Sequence, residues 1–183
     1  MDISELYRSL PNLITLARLV LAPLAVSMIV SQRYVEAFVI FVAAGVSDAV
    51  DGFIAKRFHL QSELGAYLDP LADKALLISI FVTLAIVGVV HPALAILIVS
   101  RDLMILFGIL IAWLLGKPVT IKPAWVGKFT TAAQIAFAAF VLGARAADLD
   151  PGLLLYVGEW VVAVATMLSF GLYAGQWFEH MNS

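Results

Sequence analysis

The sequence contains no cysteine, and this absence removes several kinds of chemistry at once. Disulfide bonds, thiolate nucleophiles and cysteine-ligated zinc or iron–sulfur centres are all excluded. Charged residues are also scarce: they make up 13% of the chain, whereas an ordinary soluble domain has about 25%. Because no stripe of lysine and arginine runs along the sequence, we expect no nucleic acid among its partners.

Apolar residues take the place of the missing charge. They make up 63% of the chain, and the mean hydropathy is +1.02. This composition predicts an all-α polytopic membrane protein, organised as one domain over residues 1–183. Six segments are apolar enough to span a bilayer, at residues 12–31, 34–56, 69–88, 92–116, 124–144 and 152–177. Residues 1–11 form a juxtamembrane segment, and we expect a short interfacial helix within it.

The distribution of basic residues predicts the orientation of these spans. An even number of spans places both termini on the same side, together with most of the lysines and arginines near the span ends. Arg33 and Arg145 lie on the other side. Cytoplasmic loops carry the excess of positive charge, so we expect the termini and the 57–68 loop in the cytoplasm. The expected location is a bacterial inner (plasma) membrane or its equivalent.

Four aspartates interrupt the apolar pattern near the cytoplasmic ends of the second and third segments. Asp48 and Asp51 are three residues apart, and Asp69 and Asp73 are four apart. On helices each pair lies on one face. Carboxylates are costly in apolar surroundings, so a function for them is expected. Oxygen donors without histidine or cysteine favour a hard cation such as Mg²⁺, Mn²⁺ or Ca²⁺.

The residues around the aspartates suit a pyrophosphate group. Gly52 and Gly65 allow a ligand to approach the backbone closely. Lys56 and Arg57 supply positive charge for phosphate oxygens. With four carboxylates, one is left to act as a general base. The alternative is a set of helix caps and surface ion pairs, which explains single aspartates better than it explains all four.

This stretch also resembles a known signature. Asp48-x-x-Asp51-Gly52-x-x-Ala55-Lys56, followed by Gly65-x-x-x-Asp69-x-x-x-Asp73, is similar to the motif of the CDP-alcohol phosphatidyltransferase family. That motif usually has arginine where Lys56 stands, and Arg57 follows directly. Similarity to the phosphoglycerol-lipid branch extends to Pro11-Asn12-Leu-Ile-Thr15-x-x-Arg18 with Pro23, Asp69-Pro-Leu-Ala-Asp-Lys74, Ser100-Arg-Asp102, and Gly127-Lys128 with Gln134.

The resemblance implies a membrane enzyme of six helices, commonly a homodimer, with a polar cavity that faces the cytoplasm. Such enzymes transfer the phosphatidyl group of CDP-diacylglycerol to an alcohol and release CMP. By resemblance, two Mg²⁺ or Mn²⁺ ions would be held by Asp48, Asp51, Asp69 and Asp73, and Asp73 would be the catalytic base. The residues that would bind the CDP moiety are Gly52, Ala55, Lys56 or Arg57, Gly65 and Thr15.

The acceptor is a glycerol-type alcohol, and two candidates stay open. Family members that use glycerol 3-phosphate tend to carry Glu after the first Arg of the fourth segment and a second Arg further on. Here Asp102 follows Arg101, and apolar residues continue to Gly116. The chain is therefore more similar to members of the eukaryote-type cardiolipin-forming group, whose acceptor is phosphatidylglycerol. Acceptor-binding candidates are Arg101, Arg18 and Lys128, although Arg101 would equally suit a structural ion pair.

Two other classes of function compete with the transferase. Carboxylates inside a membrane also mark cation transporters, but these four cluster at one interface. A catalytically inactive scaffold is the second alternative, although Lys56 is the one exchange within the motif. Both alternatives predict no metal-dependent release of CMP.

Overall fold

A computed structural model describes the backbone of residues 19–58, 63–115 and 125–182, and the side chains of residues 19–48, 74–112, 114–115 and 125–181. Within these ranges the chain forms six helices and no strand, which confirms the all-α prediction. The helices are α1 Leu19–Val30, α2 Tyr34–Phe58, α3 Glu63–Ile86, α4 Pro92–Leu114, α5 Trp125–Ala146 and α6 Gly152–Asn182.

Short turns at residues 31–33, 87–91 and 147–151 reverse the chain direction between successive helices. The breaks predicted at His91-Pro92 and before Gly152 are confirmed, since α4 begins at Pro92 and α6 at Gly152. Proline suits the first position of a helix because its missing N–H would have no partner there. Two contacts secure the start of α4. Nδ1 of His91 accepts a hydrogen bond from the N–H of Ala93 at 3.2 Å, and the His91 N–H donates to Oε1 of Glu159 on α6 at 2.6 Å.

Helices α3 and α6 extend furthest beyond the apolar segments from which they were predicted. α3 begins at Glu63 rather than at residue 69, and α6 continues to Asn182 rather than to 177. The predicted 57–68 loop is therefore largely helical, and Gly65, which falls within it, lies on α3. Hydropathy detects the part of a helix that is immersed in lipid, so polar helical turns beyond the membrane escape it.

The helices pack as a bundle in which α5 lies against α2, α3 and α6, and α4 lies against α3 and α6. α1 contributes Ala22, Ala25 and Ile29 to the same apolar core. The rings of Phe81 and Phe137 stack at its centre, with centroids 6.3 Å apart. On α2, α4 and α6 the core residues come first along the chain and the polar residues follow. On α3 and α5, which run in the opposite direction, Lys74, Thr130 and Gln134 precede the core residues. The bundle therefore has an apolar end and a polar layer.

Much of the outer surface is apolar, including Val20, Ile86, Ile96, Phe129 and Leu168. Three stretches are long and apolar enough to cross a membrane, namely Pro92–Ala112, Trp125–Ala146 and Gly152–Met181, and Leu19–Val30 and Lys74–Ile86 are shorter apolar helices. Large apolar side chains that face outward on such helices suit a lipid environment. The chain is accordingly an integral membrane protein.

Candidate active site

The polar layer contains a cavity of about 450 Å³ between α2, α3, α4 and α5. Most of its walls are apolar, with contributions from Phe41, Leu76 and Leu77. Five polar or charged side chains interrupt them at the polar layer: Asp48, Lys74, Asp102, Thr131 and Gln134. A small number of polar groups in a mostly apolar concavity is typical of a ligand site. A larger groove of about 710 Å³ lies between α5 and α6, but its lining, which includes Trp125 and Trp160, is almost entirely apolar and offers no catalytic group.

The backbone places the four motif aspartates as their spacing predicts. Asp48 and Asp51 lie on α2 near its C-terminal end, and Asp69 and Asp73 lie in the N-terminal half of α3. Three- and four-residue spacings on helices keep each pair on one face. Asp48 is half-buried and lines the cavity. The helix that carries the first aspartate pair therefore forms part of the cavity wall.

Several predicted site residues lie outside the described side chains. They are Asp51, Gly52, Ala55, Lys56, Arg57, Gly65, Asp69 and Asp73, while Thr15 and Arg18 lie outside the described residues altogether. Among the described side chains, no three potential ligands lie close enough together to hold a metal ion. Since three of the four aspartate side chains are not among them, the metal site stays a prediction.

Arg101 on α4 is almost fully buried, at 4% exposure. Its Nε and Nη2 both donate to the hydroxyl oxygen of Ser169 on α6, at 3.1 and 2.9 Å. Its Nη1 lies 2.5 Å from Oδ1 of Asp102. The guanidinium carbon lies 5.4 Å from the centroid of the Tyr173 ring, within the range of a cation–π interaction. All three guanidinium nitrogens are therefore engaged within the bundle.

Asp102 joins this buried arginine to the cavity. Its Oδ1 also lies 2.8 Å from Nζ of Lys74 on α3, so one carboxylate oxygen contacts two cations. Asp102 and Lys74 line the cavity, whereas Arg101 is not part of its lining. Lys74 is the more accessible partner, since 43% of its side chain is exposed. Lys74 therefore forms an interhelical ion pair with Asp102, and Arg101 contacts the same carboxylate from outside the cavity lining.

Lys128 lies away from this cavity. It is exposed on α5, and its Nζ is 5.7 Å from the centroid of the Trp125 ring. Its predicted role in acceptor binding stays a prediction.

Sequence reasoning assigned no role to Ser169, Thr130 or Thr166, which form the buried polar contacts of α6. Thr130 on α5 donates to a backbone oxygen of its own helix and lies 3.0 Å from the Ala165 carbonyl on α6. Gln134 contacts Thr166 in the same interface. Hydroxyl and amide side chains commonly bridge membrane helices. The presence of these polar residues within apolar segments could have indicated contacts between helices, but the sequence does not show which helix each residue faces.

Comparison with known proteins gives a consistent picture. The family model described as CDP-alcohol phosphatidyltransferase matches residues 8–171. The chain is 34% identical over 148 residues to a CDP-diacylglycerol–glycerol-3-phosphate 3-phosphatidyltransferase of Escherichia coli (strain K12), which covers 73% of this chain and 76% of that protein. It is 31% identical over 152 residues to a cardiolipin synthase (CMP-forming) of Rattus norvegicus, which covers 74% of this chain and 50% of the relative.

A chloroplastic CDP-diacylglycerol–glycerol-3-phosphate 3-phosphatidyltransferase 1 of Oryza sativa subsp. japonica is 38% identical over 104 residues, or 57% of this chain and 32% of that protein. The chain therefore spans half or less of the length of the rat and rice relatives. Both activities that the sequence motifs suggested are represented among these relatives.

Proposed function

Because the family model covers residues 8–171, the chain belongs to the CDP-alcohol phosphatidyltransferase family, and we propose that it transfers the phosphatidyl group of CDP-diacylglycerol to the hydroxyl of a glycerol-type acceptor. The observation that carries this proposal is the cavity beside the first aspartate pair, lined by Asp48, Lys74 and Asp102 within a bundle of membrane helices. A polar site inside such a bundle suits a reaction between a lipid-linked nucleotide and an alcohol.

The donor set fits divalent cations. Four carboxylates in two helical pairs, with no sulfur or imidazole among them, match the ligand preference of Mg²⁺ and Mn²⁺. We infer that Asp48, Asp51, Asp69 and Asp73 hold two such ions. Bound ions would supply positive charge to the pyrophosphate oxygens.

The protein side chains bind and orient the substrates, and one of them takes a proton. Lys56 or Arg57 pairs with phosphate oxygens, and Thr15 with Gly52, Ala55 and Gly65 form the surface for the CDP moiety. Asp73 takes the proton of the acceptor hydroxyl. The hydroxyl oxygen forms a bond to the phosphatidyl phosphorus, the bond from that phosphorus to the bridging oxygen breaks, and CMP leaves with the electron pair.

The membrane setting follows the same reasoning. We propose six spans with a short interfacial helix at the N-terminus, so that the single domain of residues 1–183 has both termini on the cytoplasmic side. The active site would face the cytoplasmic side of a bacterial inner membrane, so that CDP-diacylglycerol enters from the lipid and CMP leaves to the cytoplasm. The alternating helix directions and the excess of basic residues that the sequence assigns to this side support the orientation. A homodimer is the expected assembly.

Phosphatidylglycerol is the acceptor that the cavity favours, which would make the product cardiolipin. Glycerol 3-phosphate is close to a dianion and calls for several cations around it. Arg101 is turned away into contacts with Ser169 and Asp102, so among the described residues that line the cavity, Lys74 is the cation. One lysine, itself paired with Asp102, suits a singly charged phosphodiester better. Glycerol 3-phosphate remains the second candidate, because relatives with that activity are similar over much of this chain.

The test is CMP release from CDP-diacylglycerol by protein purified in detergent or nanodiscs, with Mg²⁺ or Mn²⁺ and each acceptor in turn. Asp73→Asn should abolish release. Asp148→Asn is the matched control: it makes the same change in the turn before α6, and asparagine tolerates its positive φ of 55°. Absence of CMP release with every glycerol-type acceptor would refute the transferase and favour the transporter or inactive-scaffold alternatives. Formation of phosphatidylglycerol phosphate but no cardiolipin would refute the acceptor.

A further inference from the structure

Gln134 is a polar side chain in an unusual position on α5. It is about 1% exposed, yet it lines the cavity that contains Asp48, Lys74 and Asp102. An amide has one oxygen that accepts hydrogen bonds and two N–H groups that donate them. A buried amide group without a partner is costly, so the partner of each atom matters.

The hydrogen bonds around Thr166 determine how this amide is oriented. The Thr166 hydroxyl donates its single hydrogen to the carbonyl of Val162 at 2.7 Å. Its oxygen can therefore only accept from Gln134, and the contact at 3.2 Å must come from Nε2. This places the amide nitrogen at α6 and leaves Oε1 as an acceptor. No described residue donates a hydrogen bond to Oε1.

A second acceptor lies one helical turn earlier on the same wall. Thr131 also lines the cavity, and its hydroxyl donates to the Gly127 carbonyl at 3.1 Å, which leaves its oxygen lone pairs available. Residues three apart on a helix share a face. The α5 wall thus presents acceptor oxygens from Gln134 and Thr131, while Asp48, Lys74 and Asp102 line the same cavity from the other three helices. Such a wall suits the hydroxyl groups of a ligand rather than its phosphate oxygens, which cannot donate a hydrogen bond when ionised.

We propose that Oε1 of Gln134 accepts a hydrogen bond from the secondary hydroxyl of the glycerol-type acceptor, so that Gln134 determines specificity for a diol. Both candidate acceptors carry a secondary hydroxyl next to the primary hydroxyl that reacts. This inference rests on the proposed phosphatidyl transfer. Gln134 touches the acceptor away from the reacting atoms, and Thr166 is a positioning residue that acts through it.

The experiment compares each acceptor with an analogue that lacks the secondary hydroxyl: glycerol 3-phosphate with 3-hydroxypropyl phosphate, and phosphatidylglycerol with phosphatidyl-1,3-propanediol. The wild-type protein should discriminate against the analogue by roughly tenfold or more in kcat/KM. Gln134→Met keeps the length of the side chain but removes the amide, and the discrimination should fall toward one. Thr166→Val should weaken it partly, by releasing the amide from its anchor.

Thr130→Val is the matched control, since Thr130 is buried in the same α5–α6 interface but does not line the cavity. It should keep the wild-type ratio even if it lowers stability. An unchanged ratio in Gln134→Met, in protein that still releases CMP, would overturn the proposal. An increased KM for CDP-diacylglycerol with an unchanged ratio would also overturn it, because Gln134 would then contact the donor. If wild-type protein releases no CMP with any acceptor, the proposed function itself has failed.

Discussion

Replacing Arg101 with methionine should destabilise the protein far more than replacing Lys74 with methionine, although each change removes one cationic partner of Asp102. The two cations differ in burial. The Arg101 side chain is 5% exposed and the Lys74 side chain is 43% exposed, while Asp102 between them is 9% exposed. Water therefore already solvates part of the Lys74 ammonium, whereas the contacts of Arg101 lie out of reach of water.

The expected magnitudes follow from this difference. Removing one partner of a buried ion pair typically costs about 3–5 kcal/mol. We expect the lower part of this range for Arg101→Met, because Lys74 still contacts Asp102. Arg101→Met also removes the hydrogen bonds to Ser169 and the contact with the Tyr173 ring. For the half-exposed Lys74, the expected loss is about 1 kcal/mol or less, as for surface pairs. Methionine preserves most of the apolar stem in both cases, so the difference reports on charge.

The assay is reversible unfolding of the purified protein in mixed micelles, with CMP release measured in parallel. Arg145→Met is the control, because Arg145 is exposed in the last turn of α5, and it should change the free energy of unfolding by at most about 0.5 kcal/mol. Equal losses in Arg101→Met and Lys74→Met would refute the argument from burial. So would an Arg101→Met protein of full stability with only a raised KM for the acceptor, since Arg101 would then be an acceptor-binding residue.

Three further outcomes test the packing and the site. Gly158→Ala should destabilise the protein by about 1–3 kcal/mol in thermal unfolding, because the new Cβ would lie 2.5 Å from the Phe137 ring. Gly171→Ala on the same helix is the control: its Cβ meets nothing within 4 Å, so the change should be neutral or slightly stabilising. Glu159→Ala should lower stability by about 1 kcal/mol, by removing the acceptor of the His91 N–H; no change in denaturant titration would contradict this contact. Chelation of divalent cations should abolish CMP release and re-addition of Mg²⁺ or Mn²⁺ should restore it, whereas release that persists in chelator would exclude the two-metal site.

The all-α class and the approximate positions of the helices were predictable from the amino-acid sequence alone. So was the pairing of the aspartates within α2 and α3. These features depend on local properties: the apolar content of a segment decides whether it enters a membrane, and the helical repeat decides which residues share a face. The resemblance to the family rests on the same local motif, and the match over residues 8–171 supports it. Helix ends outside the membrane were less predictable, because hydropathy does not distinguish a polar helical turn from a loop.

Which polar side chains meet between helices was not predictable from the sequence and is seen in the folded bundle. Arg101 and Ser169 are 68 residues apart, and Gln134 and Thr166 are 32 apart. Such pairs depend on the depth of each helix and on its rotation about its own axis. In a membrane bundle both the lipid-facing and the core-facing sides are apolar, so hydrophobic periodicity does not encode that rotation. For this reason the sequence left Arg101 open between an ion pair and acceptor binding, whereas the structure places it in the buried network behind the cavity.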